Sequence, residues 1–344
     1  MKVNRAKFVE VLGRLSPALG INILVPEFQY YQIDGDHVQT FDGVLIADSM
    51  FPMDTGLKCS IPREVLSLLT SLDIEEIDLA VKDDELQIRT TKLEGKFSIL
   101  APPKFQSLYT MDKGMILVDP KLIDDVVEGL GFCRFGVSKD ATAGPKCGVQ
   151  INRDTIFSTD RYRVVKWDLS GDSGLTCSMP LKFIDLLKKN QNKISKLGCL
   201  EDESFVAILD DGTYISTCLL QGDYPDLLQY FPDKADYEQI EFGEKLAVVI
   251  DRHLALLKDM NPLDREMLIE IKEGICTLTS KMPEKSNLVE HIDVKMDESS
   301  EISFSINPTF LKEISNRCSS FRYFDGGLIL FEADKLQYLM RAGK

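Results

Sequence analysis

The feature that most constrains this chain is an internal repeat with three copies. A short apolar run that leads into a helix recurs at 1–15, 115–130 and 246–260. A proline that opens a second amphipathic helix recurs at Pro62, Pro180 and Pro308. Both markers return at intervals of roughly 115 to 130 residues, an ordinary size for one domain. The sequence therefore predicts three copies of one domain, at 1–114, 115–239 and 240–344.

Each copy has the pattern of a strand, a helix, several strands, a second helix and closing strands. Apolar residues spaced at i, i+3, i+4 and i+7 predict the first helix of the first copy. The expected N-caps of the three first helices are Asn4, Asp119 and Asp251. Asp-Asp-Gly at 210–212 and Asp-Gly-Gly at 325–327 predict tight hairpins. We expect an α+β fold in which each domain is an antiparallel sheet with two helices on one face.

Composition limits the classes of protein to which this chain can belong. The 344 residues carry a net charge of −15, and no apolar run approaches the ~20 residues of a membrane span. Residues 1–15 lack the unbroken apolar core of a signal peptide. The eight cysteines include no CxxC pair, which is typical of reduced thiols. These features predict a cytoplasmic protein without a membrane partner.

No motif in the sequence indicates catalysis. There is no GxxxxGK[ST], no GxGxxG after a strand and no HExxH. Paired acids such as Asp83-Asp84 have the pattern of turn residues, and we expect His253 to be a hydrogen-bonded, partly buried histidine. We predict no catalytic residue, no metal site and no cofactor. An enzyme whose site lies between repeats would need converging acids or a nucleophile–base pair, and the sequence offers neither.

The outward faces of the predicted helices carry more basic residues than an acidic protein would suggest. A solvated helix surface explains any one of these residues, but five of six repeat-related helices share the feature. The helix from Pro120 is the exception, since Asp124, Asp125 and Glu128 accompany Lys121 on its outer face. The predicted DNA-facing residues are Lys7, Arg14, Arg63, Lys182, Lys189, Lys193, Arg252 and Lys312.

Four segments, spread over the chain, resemble motifs of the bacterial DNA polymerase III beta subunit, the beta sliding clamp, including phage-encoded versions. They are FSTDRYRVV at 157–165, SMPLKFIDLL at 178–187, QGDYPDLLQYFP at 221–232 and FSINPTFLKEI at 304–314. Together with the three repeats, their order and spacing make the resemblance cover the whole chain. The chain departs from the family at Arg161-Tyr162, where Gly-His is usual, and at Lys146, where the family has an apolar residue.

The resemblance implies a processivity factor that encircles double-stranded DNA without reading its sequence. Two chains would meet head to tail as a homodimer, giving a ring of six domains with the helices facing the DNA. The implied dimer-interface residues are Lys96, Lys104, Phe105 and Leu108 on one side, and Leu288 and Glu290 on the other.

The resemblance also implies a hydrophobic cleft between the second and third domains. This cleft would receive peptide motifs of the replicative DNA polymerase and the clamp loader. Its expected residues are Thr159, Arg163, Val164, Pro232, Asn307, Phe310, Tyr338 and Met340. The altered Arg161-Tyr162 pair and residues 340–344, which lack the Met-Pro-Met-Arg pattern of the family, imply a motif preference particular to this chain. The alternative function is a monomeric protein-binding scaffold of the same fold without ring closure.

Overall fold

The computed structural model describes residues 1–21, 25–101, 114–200, 203–232, 236–242, 246–282, 286–296 and 301–343. These residues form two compact units. The first comprises Met1–Glu128 and Asp172–Leu220, and the second comprises Gly129–Gly171 and Gln221–Lys344. Residues of the middle repeat contribute to both units, and the division into three domains stays a prediction. The helices are α1 (Arg5–Leu15), α2 (Glu64–Ser71), α3 (Ile123–Cys133), α4 (Leu181–Lys189), α5 (Leu246–Leu256) and α6 (Pro308–Ser315).

The first unit contains two antiparallel sheets. Its strands are β1 (Lys2–Asn4), β2 (Tyr30–Asp34), β3 (His37–Phe41), β4 (Leu45–Met50), β5 (Lys58–Pro62), β6 (Glu76–Lys82), β7 (Glu85–Arg89), β8 (Glu94–Ser98), β9 (Met115–Leu117), β13 (Thr176–Pro180), β14 (Ile194–Leu200), β15 (Ser204–Leu209) and β16 (Tyr214–Cys218). One sheet has the order β5-β2-β3-β4-β16-β15-β14-β9, and the other has the order β1-β6-β7-β8. Because β4 pairs with β16, the first and middle repeats share one continuous sheet.

The strands of the second unit pair antiparallel throughout. They are β10 (Gly148–Asn152), β11 (Thr155–Thr159), β12 (Arg163–Asp168), β17 (Tyr237–Phe242), β18 (Met267–Lys272), β19 (Ile275–Met282), β20 (Ser286–Lys295), β21 (Ile302–Ile306), β22 (Ser320–Phe324), β23 (Leu328–Ala333) and β24 (Leu336–Arg341). Within the unit their order is β10-β11-β12-β24-β23-β22-β17-β20-β19-β18-β21. The pairing of β12 with β24 joins the middle repeat to the last repeat.

The helices bury the apolar faces that the sequence predicts. On α1, Phe8, Val11, Leu12 and Leu15 are buried, and the Asn4 side chain accepts a hydrogen bond from the Lys7 backbone N–H at 3.0 Å. Burying such a stripe against a sheet removes apolar surface from water, at roughly 25 cal/mol per Å². The mixed α+β architecture with large antiparallel sheets is confirmed.

The N-cap prediction is wrong in the third repeat. Asp251 lies in the middle of α5, which already includes Leu246, and its carboxylate pairs with Lys312 on α6. The apolar run before Asp251 is helical, since Leu246, Val249 and Ile250 are buried with helical spacing. The strand that precedes the helix is β17, which lies earlier in the chain than predicted.

The turns of the hairpins follow local backbone preferences. Gly326 and Gly327, between β22 and β23, have φ values of 89° and 81°, and glycine adopts such values without steric cost. The predicted hairpins at 210–212 and 325–327 are confirmed by the pairing of β15 with β16 and of β22 with β23. No helix among the described residues is long and apolar enough to cross a membrane.

Candidate partner-binding pocket and basic helix residues

The second unit contains an open pocket of about 670 Å³ where β12 and β24 meet the segment after Gly222. Its apolar floor includes Val164, Leu227 and Leu339, which belong to a packed cluster with Phe157, Phe324 and Leu330. The residues that line the pocket are Lys146, Thr159, Arg161, Tyr162, Arg163, Val164, Pro225, Leu227, Gln229, Tyr230, Asp325, Gly326, Leu328, Leu339, Met340 and Arg341. A concave, mainly apolar surface with a few charged groups at its rim is typical of a ligand or peptide site.

The turn between β11 and β12 builds one wall of the pocket. Asp160 accepts hydrogen bonds from the backbone N–H groups of Tyr162 and Arg163, both at 3.1 Å. Arg161, which lies between Asp160 and Tyr162 in this turn, has a φ of 79°, a left-handed conformation that favours glycine. The turn leaves Tyr162 62% exposed beside the pocket, with its ring 6.0 Å from that of Phe310.

Arg163 holds this wall to the rest of the unit. Its Nε lies 3.0 Å from the Asp160 carboxylate, and its Nη1 donates to the Tyr338 hydroxyl at 2.8 Å. The guanidinium also donates to the Phe135 carbonyl and lies 4.4 Å from the centre of the Phe310 ring. Burial raises the pKa of Tyr338, against the opposing effect of Arg163, so the phenol stays protonated and donates to the Phe310 carbonyl.

The structure brings half of the predicted cleft residues to the pocket surface. Thr159, Arg163, Val164 and Met340 line it. Tyr338 is fully buried behind Arg163, and Phe310 covers the Arg163 guanidinium. Asn307 caps α6 and donates its amide to the Pro262 carbonyl at 2.7 Å. Pro232 lies two residues after Tyr230 and is not among the residues that line the pocket.

Sequence reasoning missed several lining residues. Leu328 and Leu339 belong to strands rich in apolar residues, each with three consecutive buried positions, and nothing in the sequence of these strands separates a pocket wall from ordinary core. Leu227 and Tyr230 lie in the 221–232 segment, where Leu228 and Tyr230 are exposed, at 49% and 55%, although both are large and apolar. The Asp-Gly-Gly motif predicted that Asp325 begins a hairpin turn, but it did not predict that this turn lies at the pocket.

The eight predicted DNA-facing residues fall into two groups. Four are paired with carboxylates: Arg14 with Asp211 and Glu10, Lys182 with Asp42, Arg252 with Glu290, and Lys312 with Asp251. The other four, Lys7, Arg63, Lys189 and Lys193, are exposed and form no ion pair within the described part of the chain. Their contact with DNA stays a prediction.

Among the described residues, two strands that carry predicted interface residues are paired on one side only, β8 along its length and β20 over residues 286–293. Lys96 lies on β8, and Leu288 and Glu290 lie on β20. Glu290 is turned toward α5, since its carboxylate accepts from Arg252 Nε at 2.8 and 3.0 Å. This ion pair lowers the Glu290 pKa. Lys104, Phe105 and Leu108 lie outside the described residues.

The histidine singled out in the sequence, His253, and the partly buried Cys147 both have structural surroundings. His253 is fully buried, and its Nδ1 lies 2.9 Å from the Ser280 hydroxyl. Burial lowers its pKa, so the ring stays neutral. The Cys147 thiol donates to the Asp140 carbonyl at 3.0 Å. The described residues contain no group of three or more His, Cys, Asp or Glu side chains that could hold a metal ion.

Comparison with known proteins identifies the class of fold. No protein-family model and no curated protein matches the chain. Among solved structures, the DNA polymerase III subunit beta of Pseudomonas aeruginosa matches with a TM-score of 0.83 and 15% identity, covering 100% of this chain and 99% of that one. The pol III beta of Caulobacter crescentus matches with a TM-score of 0.84 and 15% identity, with the same coverage.

A third match is a sliding clamp, DNA polymerase III subunit beta, from Bartonella birtlesii bound to griselimycin. Its TM-score is 0.84 at 16% identity, again covering 100% of this chain and 99% of that one. The chain therefore has the sliding-clamp fold over its whole length. The resemblance predicted from four short motifs is confirmed at the level of the fold.

Proposed function

We propose that this chain is a DNA polymerase processivity factor, a clamp that encloses duplex DNA without reading its sequence. The observation that carries the proposal is the sliding-clamp fold along 100% of the chain, with 99% of the neighbour covered as well. Fold alone does not determine function, so the proposal also depends on surface features of this chain. In this role the chain acts by shape and charge, without catalysis or a cofactor.

The first of these features is the pair of open sheet edges. Within the described residues, β8 pairs only with β7, and residues 286–293 of β20 pair only with β19. An open edge presents unpaired N–H and C=O groups that favour pairing with another chain. A head-to-tail homodimer in which β8 of one copy meets β20 of the other would cover both edges and close a ring.

The second feature is the set of exposed cations that form no ion pair with any described residue, Lys7, Arg63, Lys189 and Lys193. In the ring these residues would attract the phosphate backbone, a force that is independent of sequence and weakens with salt. Such weak contact is enough when a closed ring retains the DNA, and it permits sliding. The net charge of −15 disfavours DNA binding on the rest of the surface.

The third feature is the pocket in the second unit, to which we assign the replicative polymerase and the clamp loader as partners. Its apolar floor and exposed Tyr162 and Tyr230 are suited to anchoring a short peptide. The chain contains no GxxxxGK[ST] nucleotide-binding motif, so ring opening would be the work of the loader.

Small-angle X-ray scattering of the purified chain over a concentration series, together with native mass spectrometry, tests the ring. We expect a particle of twice the chain mass with a distance distribution that shows a central hole. A monomer throughout the micromolar range would contradict the ring and favour the alternative, a monomeric protein-binding scaffold of the same fold.

A further inference from the structure

Two hairpin turns of the first unit each hold a helix cation of the neighbouring repeat. Asp42, in the turn between β3 and β4 of the first repeat, forms an ion pair with Lys182 in the first turn of α4, which belongs to the middle repeat. Asp211, in the turn between β15 and β16 of the middle repeat, forms an ion pair with Arg14 on α1 of the first repeat. The two pairs therefore cross the β4–β16 junction in opposite directions, and each neutralises a cation that the sequence predicts to face DNA.

The turn at Asp42 needs the oxygen of this side chain but not its negative charge. Its Oδ1 accepts hydrogen bonds from the backbone N–H groups of Val44 and Leu45, at 2.8 and 2.6 Å, and its Oδ2 accepts from the Lys182 ammonium. The amide oxygen of an asparagine would accept the same two backbone bonds, and Asn-Gly is a favoured sequence for tight hairpin turns. Within the described residues, the charge of Asp42 is thus directed at Lys182.

The Lys182 ammonium stays accessible although it is paired. The Lys182 side chain is 48% exposed, whereas the Asp42 side chain is 6% exposed. The carboxylate therefore lies beneath the ammonium group. An ion pair with a half-exposed partner adds little to stability, because water and salt screen it. It does change what a second anion meets at this surface, since an approaching phosphate meets a nearly neutral pair instead of a full positive charge.

The arginine of the other pair is held more completely. Arg14 Nη1 donates to the Thr213 hydroxyl at 3.1 Å and pairs with Asp211, and its Nη2 lies 3.1 Å from the Glu10 carboxylate. The Arg14 side chain is 14% exposed and that of Glu10 is 67% exposed. Loss of one carboxylate charge would leave this guanidinium neutralised by the other. The Arg14 pair is therefore an internal comparison for the Lys182 pair.

We propose that Asp42 is an internal competitor of DNA phosphate, which occupies Lys182 and so prevents this cation from adding one more phosphate contact. The inference rests on the proposed function, since it takes the helix cations to meet a duplex, and it adds a residue that sets how tightly the duplex is held. Each phosphate contact strengthens binding and makes it more dependent on salt. A clamp that slides benefits from few such contacts, because each one must break when the protein moves along the DNA.

A double-mutant cycle of Asp42→Asn and Lys182→Gln tests the inference by fluorescence anisotropy, with a 40-base-pair duplex between 50 and 200 mM salt. Asp42→Asn keeps the oxygen of the turn and frees Lys182, so the chain should bind the duplex at least threefold more tightly at 50 mM salt. The slope of log affinity against log salt should become steeper by about 0.9, the value for one further phosphate. Lys182→Gln alone should change the affinity less than twofold, and it should abolish the gain when combined with Asp42→Asn.

Asp54→Asn is the matched control. Asp54 is an exposed turn residue between β4 and β5, its Oδ1 accepts from the Gly56 N–H at 2.7 Å, and it pairs with no cation in the described part of the chain. This variant removes the same charge and should change the affinity less than twofold. Asp211→Asn should give a smaller gain than Asp42→Asn, because Glu10 still neutralises Arg14. The melting temperature of each variant should lie within about 3 °C of that of the parent chain, so that unfolding does not explain altered binding.

An Asp42→Asn variant that binds the duplex no more tightly than the parent chain, or a gain that persists after Lys182→Gln, would overturn the inference. A gain of equal size in Asp54→Asn would also overturn it, since net charge would then explain both variants. Scattering on the same samples reports ring formation independently. A ring that binds duplex but does not respond to Asp42→Asn refutes the inference alone, and a monomer whose affinity rises through Lys182 refutes the ring alone. Failure of the parent chain and of every variant to bind duplex would contradict the proposed function, and the inference with it.

Discussion

At the residue scale, Arg163 connects the elements of the pocket. Its side chain is 9% exposed, and its guanidinium contacts a carboxylate, a phenol, a backbone carbonyl and an aromatic face. A planar fork of five N–H donors can satisfy these partners together, whereas an ammonium group cannot. The position of the wall that carries Tyr162 therefore depends on this one side chain.

We predict that Arg163→Ala destabilises the second unit by about 3 kcal/mol or more, because Asp160 loses its ion-pair partner and the Phe135 carbonyl loses its donor. Urea unfolding followed by circular dichroism would show this as a lower midpoint. Arg163→Lys should recover less than half of the loss, since it restores the charge but not the fork.

Lys295→Ala serves as the control. Lys295 lies on β20 of the same unit and pairs with Glu241 at 3.4 Å, and its side chain is 81% exposed. The expected change is within about 1 kcal/mol. Equal effects of the Arg163 and Lys295 substitutions would show that Arg163 does not organise the wall.

At the scale of the elements, the sequence predicted well whatever depends on local pattern. The stripe of Phe8, Val11, Leu12 and Leu15 and the Asn4 cap are found as expected, because helical spacing and cap chemistry act within a few residues. The start of α5 was missed because an apolar run of five residues suits a strand and a buried helix equally. Which cations are unpaired could not be predicted either, since Asp42 and Asp211 approach Lys182 and Arg14 from distant positions in the chain.

The open edges give a prediction at this scale. Val289→Asp places a charge on β20, where the side chain is 44% exposed and the fold should tolerate it. If β20 meets β8 of a second copy, the charge should weaken the dimer at least tenfold, because charged side chains discourage strand pairing. Analytical ultracentrifugation measures the dissociation constant.

Val81→Asp is the matched control for this experiment. Val81 is a valine of similar exposure, 45%, on β6, where it pairs with Leu86 of β7, and β6 is neither of the two proposed interface strands. It changes the net charge equally but leaves both open edges untouched, so dimerisation should be unaffected. Two variants that dimerise like the parent chain would show that β20 is not an interface strand.

At the scale of the whole molecule, the net charge is negative, but some of the cations are neutralised by carboxylates and others are not. Carboxylates neutralise Arg14, Lys182, Arg252 and Lys312, while Lys7, Lys189 and Lys193 are exposed on or directly after helices. A triple substitution of the paired residues would break ion pairs as well as remove charge. DNA contact is therefore better tested by substituting the three exposed lysines, because their substitution breaks no ion pair seen among the described residues.

Reversing Lys7, Lys189 and Lys193 to Glu should weaken binding to a 40-base-pair duplex at 50 mM salt at least tenfold, as measured by fluorescence anisotropy. The slope of log affinity against log salt should also become shallower, by roughly 0.9 for each phosphate that the protein no longer neutralises. The control reverses three exposed lysines that lie outside the helices and form no ion pair with a described residue, Lys92, Lys139 and Lys281, which changes the net charge by the same amount. If both triples weaken binding equally, long-range repulsion explains the weaker binding and the helix lysines have no special role. An effect confined to the first triple would mean that phosphates contact the helix residues, as a ring with its helices facing the DNA requires.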